Sequence, residues 1–198
     1  MDPRKGIQTM ISHSPNWLVS IFLWLISPIV RFAGLSKYRS SVGKIVLKIY
    51  EKICERDGED VACSILAEAF YGIGEEHGRR IRQFFGREPT LNEAVRIAIV
   101  AQRFWGMKTR MVSKRGGQVI TKTNKCSWAP LPGWNAKLCE VMEAYEIALI
   151  STMNGSIRHL YTSRRSKGAN ACVGIFSIED EKEKPNRISP LTTRLNLR

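Results

Sequence analysis

One feature constrains the fold of this chain more than any other: its hydrophobic period changes at Gly106. Before that glycine, apolar residues recur at steps of three and four, the spacing that gives a helix one buried face. Val42, Ile45, Val46, Ile49 and Ile53 mark a first helix that Gly58 stops. A second starts near Glu59, places Val61, Ala62, Ile65, Leu66, Ala69, Phe70 and Ile73 on one face, and continues to Phe85. Gly72, Gly74 and Gly78 weaken it by about 1 kcal/mol each relative to Ala, and such glycines often admit a neighbouring backbone or a ligand. A third is announced by Thr90 with Glu93 three residues on, a capping box, and carries Leu91, Ala94, Val95, Ala98, Ala101 and Phe104 as its stripe.

After Gly106 the residues alternate. Met107–Ser113 and Gln118–Thr123 predict a hairpin through Gly116-Gly117. A loop with Pro130, Pro132 and Gly133 leads to a fourth helix marked by Leu138, Val141, Met142, Tyr145, Ala148 and Leu149, ending near Asn154-Gly155. Ile157–Ser163, the basic turn RRSKGAN and Ala171–Ile178 make a second hairpin. The predicted fold class is α+β: N-terminal helices packed on a four-stranded antiparallel sheet built as hairpin–helix–hairpin. A length of 198 residues suits one such domain, over 42–179, with a basic and Trp-rich segment at 1–35 and a charged, flexible tail at 180–198.

Charge narrows the partners. Lys and Arg number 31 against 18 Asp and Glu, a net charge of +13 that favours an anionic partner. The cations are spread along the chain, with neither zinc-finger spacing nor an RRM-type aromatic signature, so nucleic acid is disfavoured. Trp17 to Val30 is an uncharged run of 14 residues before Arg31, short of the roughly 20 needed to cross a bilayer. It is read either as a helix at an anionic membrane surface or as one packed on the protein body. Five cysteines, an odd and irregular set, fit a reducing cytoplasm better than a disulfide scaffold, with peripheral attachment through residues 17–35 as an option. A homodimer is a further candidate assembly.

Three cysteines form the most suggestive constellation. Cys126 follows the first hairpin, Cys139 opens the fourth helix and Cys172 begins the last strand. With 12 and 32 residues between them they are no zinc knuckle, yet one sheet edge could gather all three as zinc ligands. The dipole at a helix start favours a thiolate, which applies best to Cys139. His159 is a candidate fourth ligand or general base, and His77 is the other candidate histidine. The competing reading makes the three thiols small core hydrophobes, as Cys54 and Cys63 are expected to be.

The stretch from Ile45 to Ile178 also resembles the L-2-amino-thiazoline-4-carboxylic acid hydrolase-like family, whose relatives look like V4R-type ligand-binding domains. The residues that carry the resemblance are AEAFYGIGEEHGRRI (67–81), FWGMKTRMV (104–112), Cys126 after its hairpin, LCEVMEAYEIALI (138–150) and KGANACVGIFSI (167–178). Ser127 stands where the family often has Pro, and Ala169 where it usually has Asp. The resemblance implies hydrolysis of a cyclic C–N bond. In that scheme Cys126 or Cys172 is nucleophile or metal ligand, Cys139 a ligand, and His159 the acid/base. Arg158, Arg164 or Arg165 would then hold a substrate carboxylate. Absence of the acid at 169 favours the alternative, a ligand- or metal-sensing module that uses the same pocket without turnover. A basic membrane-surface or nucleic-acid adaptor is the third reading.

Overall fold

The computed structural model describes residues 36–179; the readings for Trp17–Val30 and for the two terminal segments lie outside the described residues. Four helices, α1 (Ser36–Asp57), α2 (Glu59–Phe85), α3 (Leu91–Phe104) and α4 (Ala136–Met153), accompany four strands. These are β1 (Thr109–Arg115), β2 (Gln118–Thr123), β3 (Ile157–Ser163) and β4 (Cys172–Ile178), with one 3-10 turn over Arg165–Lys167. The sheet runs β1-β2-β4-β3, antiparallel throughout, so the two hairpins join along β2 and β4. The α+β fold expected from the change of period is the fold observed.

Local chemistry accounts for the element ends. Both halves of the Thr90–Glu93 capping box form, and Glu93 takes a two-pronged bond from Arg87 at 2.8 and 2.9 Å. Burial alone would raise the Glu93 carboxyl; the bonds from Arg87 and Thr90 override it and hold the group below the ordinary carboxylate range. Asn135 caps α4 by accepting from the Leu138 N–H at 2.9 Å. Gly116 and Gly117 turn the first hairpin with φ of 54° and 74°, the left-handed pair that a two-residue hairpin turn requires.

The glycines of α2 explain how α4 lies so close along it. A Cβ at Gly74 would stand 2.4 Å from the Tyr145 carbonyl oxygen, and one at Gly78 would stand 2.8 Å from that of Leu149. Neither distance is tolerable, so the two helices approach at their backbones. The buried faces of the first two helices differ from the expected stripes. Leu47 and Tyr50 face inward on α1 while Ile45 and Ile49 are exposed; on α2, Ala62 and Leu66 are buried while Val61, Ile65 and Ile73 are exposed. Both helices carry apolar residues around more than one face, so spacing alone does not select the buried one.

Two hydrophobic clusters result, with α4 running through both. One packs Val95, Ile99 and Ala98 of α3 with Leu149, Ile150 and Met153 of α4 on Val119, Ile157 and Phe176 of the sheet. The other gathers Leu47 and Tyr50, Ala62 to Ala67, Trp128, Trp134 and the first turns of α4 around Leu138 and Val141. Cys63 is buried in the second cluster and Cys54 packs against it.

Candidate functional site

A cavity of about 340 Å³ lies between the second cluster and the sheet. Each wall comes from a different element. Phe70, Ile73 and His77 belong to α2, Ala101 and Gln102 to α3, Thr123 to β2, and Met142, Glu143, Tyr145 and Glu146 to α4. Trp105 and Met107 cross from α3 to β1, while Cys126, Trp128 and Trp134 come from the loop after β2. Three indoles form a row, with ring centres 5.6 Å apart for Trp105–Trp128 and 5.3 Å for Trp128–Trp134. Exposed Ile73 and His77 mark the mouth, where His77 Nδ1 is 3.0 Å from the Tyr145 hydroxyl.

Cys126, Cys139 and Cys172 all line this cavity. The convergence is topological: Cys172 is the register partner of Thr123 at the end of β2, Cys126 follows three residues later, and Cys139 sits in the first turn of α4. Each sulfur accepts a hydrogen bond, from Trp128 N–H at 3.5 Å, Trp134 Nε1 at 3.2 Å and Arg165 N–H at 3.3 Å respectively. Burial pushes the Cys126 and Cys172 thiols up, which keeps them protonated and weakly nucleophilic at neutral pH. Among the described residues no three His, Cys, Asp or Glu side chains come together in a group that could hold a metal ion.

His159 is not on the cavity wall. Its ring stacks on Phe176 at 4.2 Å, meets Tyr161 edge-on at 4.8 Å, and is almost wholly buried. Burial, with a smaller push from Arg164, lowers its pKa to about 3, so the imidazole is neutral. Gly174 makes room for it, because a Cβ there would stand 2.9 Å from Nε2. Of the arginines, Arg158 alternates to the other face of the sheet and pairs with Glu179 at 2.5 Å. Arg164 does line the cavity but is bound to Glu143 and lies over the Tyr161 ring. Arg165 bonds to the Asn124 carbonyl.

The polar end of the cavity consists of residues that the periodicity did not single out. Gln102 Nε2 donates to Glu146 Oε1 at 2.8 Å and to the Tyr161 hydroxyl at 3.0 Å, and that hydroxyl donates to Glu146 Oε2 at 2.7 Å. Burial, opposed by those two bonds and helped by nearby Glu143, raises the Glu146 carboxyl to about 7. Tyr161 is pushed far up, first by burial and then by Glu146. No sequence signal marks this cluster: Glu140, Glu143 and Glu146 recur every three residues beside the apolar stripe of α4 and read as a solvent-facing row.

No protein-family model matches the chain, that of the thiazoline hydrolases included, and no curated protein matches it. Among solved structures, the chain is similar to the phenol-responsive sensory domain of the transcription activator PoxR, solved with phenol. The TM-score is 0.52 at 9% identity, over 75% of this chain and 82% of that one. The likeness is one of fold. The hydrolase resemblance has no match behind it. No helix among the described residues is long and apolar enough to cross a membrane.

Proposed function

We propose that this chain is a small-molecule-binding module of the sensory type, acting without turnover. One observation carries the reading: an aromatic-walled cavity of about 340 Å³ with a single polar end. Ligand pockets run from about 300 to 1,000 Å³, mostly apolar with a few polar groups that set orientation. A dry cavity of about 150 Å³ accepts benzene, so roughly twice that suits a substituted single ring or two small fused rings. The shared fold with a domain that responds to phenol adds weight. Cys126, Cys139 and Cys172 then serve as soft, polarisable wall.

The second reading is the hydrolase. Its support is the placement of three thiols beside Glu146, whose pKa of about 7 suits a general acid. Cys126 or Cys172 would attack and Glu146, rather than His159, would protonate the departing nitrogen. The raised thiols and the position of His159 outside the cavity put it behind the binding reading.

Calorimetric titration with phenol, benzyl alcohol, benzylamine and benzoate tests the proposal. At least one should bind with 1:1 stoichiometry, and Ala101→Phe, which fills the cavity from α3, should abolish that binding while the fold survives. Binding unaffected by Ala101→Phe, or none by any of the four, overturns it.

A further inference from the structure

We infer that the ligand of this cavity is a protonated amine on a compact apolar body, held by the Glu146 carboxylate with the Gln102 carbonyl as its second acceptor. The inference rests on the binding reading above and adds the chemical class of the ligand.

Hydrogen-bond donors and acceptors at the polar end are unequally satisfied. Gln102 is 3% exposed, and its Oε1 has no hydrogen-bond partner among the described residues, although its Nε2 makes two bonds. A buried carbonyl left this way loses its hydration for nothing, at about 1–3 kcal/mol, unless a ligand donor meets it. Apart from the Nε–H of Arg164, which has no partner among the described residues, the charged and hydroxyl donors of the wall are committed. Tyr161 donates to Glu146, Arg164 to Glu143, the Thr123 hydroxyl is bonded to that of Thr109 at 2.7 Å, and the Tyr145 hydroxyl is with His77. Beside that one N–H, what the end offers is acceptor capacity, on Gln102 Oε1 and on the remaining lone pairs of Glu146.

A carboxylate ligand would meet two carboxylates, Glu143 and Glu146, against the single uncommitted N–H of Arg164, so an acid is disfavoured. A neutral alcohol satisfies Gln102 but leaves the Glu146 charge uncompensated. An ammonium group does both, since it brings up to three donors and the missing positive charge. The net +13 of the chain would by itself repel a cation, but exposed charges are screened over about 8 Å in physiological salt, and the Glu146 contact is made inside the cavity.

Facing Glu146 are Gln102 from α3, His159 and Tyr161 from β3, Arg164 beyond β3, Cys172 from β4 and Glu143 on its own helix, while His77 of α2 is turned to Tyr145. His159 stays neutral and Tyr161 protonated across the neutral range, so neither takes over the titration. In the empty cavity Glu146 is half protonated near pH 7. Binding of an ammonium draws it to the carboxylate, so amine binding releases protons and tightens as pH rises through 7.

The test is a titration of the full chain with benzylamine, benzyl alcohol and benzoate, three probes of one size and different charge. Benzylamine should bind about tenfold tighter than benzyl alcohol, the usual advantage of a charge-assisted bond, with benzoate weakest. Its affinity should rise from pH 6 to 8, with proton release in buffers of different ionisation enthalpy. Glu146→Gln, nearly isosteric, should erase the preference for benzylamine over benzyl alcohol and the pH dependence of benzylamine binding. Benzyl alcohol or benzoate binding as tightly as benzylamine to the wild-type chain overturns the inference and leaves the binding reading standing. No binding by any of the three overturns the inference, and failure of phenol as well overturns the binding reading with it. The wild-type comparison and its pH dependence decide the matter even where a variant folds poorly.

Discussion

The two ends of α4 pack in opposite ways. Its C-terminal half presses Leu149, Ile150 and Met153 into α3 and the sheet with almost no exposure. Its first three turns direct Cys139, Met142, Glu143 and Glu146 toward an open space. One helix therefore anchors the domain at one end and lines a cavity at the other. Two carboxylates, Glu93 and Glu146, repeat the contrast, while Glu143 beside the cavity is paired with Arg164. Glu93, at the packed end, has a guanidinium on both oxygens and is held low; Glu146, at the hollow end, has only neutral donors and is pushed up. A cavity in a folded domain forgoes packing energy, and a lone buried carboxyl forgoes solvation. Their coincidence at one place is what marks the site.

The contrast can be broken most directly by truncating each end. Leu149→Ala should cost about 3–5 kcal/mol in urea unfolding, because the packed end can collapse little around the hole. Met142→Ala removes a side chain that already borders empty space, and should cost about 1–2 kcal/mol. Equal losses would mean that the hollow end is packed like the other.

Next in size is the pH response of the two carboxylates. The folded pKa of Glu146 is raised, so from the ordinary carboxylate value near 4.3 up to about 7 the unfolded chain releases a proton that the folded chain retains. Stability from this group is therefore full below about pH 4, falls as pH rises to 7, and is level above. Glu93 behaves oppositely: its folded pKa is depressed, so its contribution is present above the ordinary carboxylate range and lost as pH falls. Glu146→Gln should thus become more stable relative to wild type between pH 5 and 8, by on the order of 3 kcal/mol. A difference that stays flat with pH would place Glu146 in an ordinary solvated setting. The smallest effect expected is at the seam between α2 and α4. Gly74→Ala should destabilise by about 1–3 kcal/mol despite the better helix propensity of Ala, because its Cβ meets the Tyr145 carbonyl.

What the sequence makes legible follows the range of the interactions. The Thr90–Glu93 box, the Gly116-Gly117 turn and the two hairpins are local, and each is where the residue pattern puts it. The buried face of α1 was not legible, since Leu47 and Tyr50 compete with Ile45 and Ile49 and only tertiary contact chooses between them. The cysteines were legible as a convergent group because strand ends and a helix start are few. The polar end of the cavity was not. Gln102, Glu146 and Tyr161 come from three elements separated by 44 and 15 residues, and each alone reads as a surface residue or a core aromatic. His159 misleads for a related reason: a histidine on a strand looks like chemistry, whereas stacking on Phe176 over Gly174 makes it part of the core.

The central claim, that the hollow end exists to hold a small molecule, is most directly tested by native mass spectrometry of the full chain purified without chelator or metal-affinity resin. The account predicts a bound organic mass of one small molecule per chain, present in the wild type and absent from Ala101→Phe. A bare wild-type chain that also gains no mass on incubation with benzylamine, benzyl alcohol or phenol would contradict it.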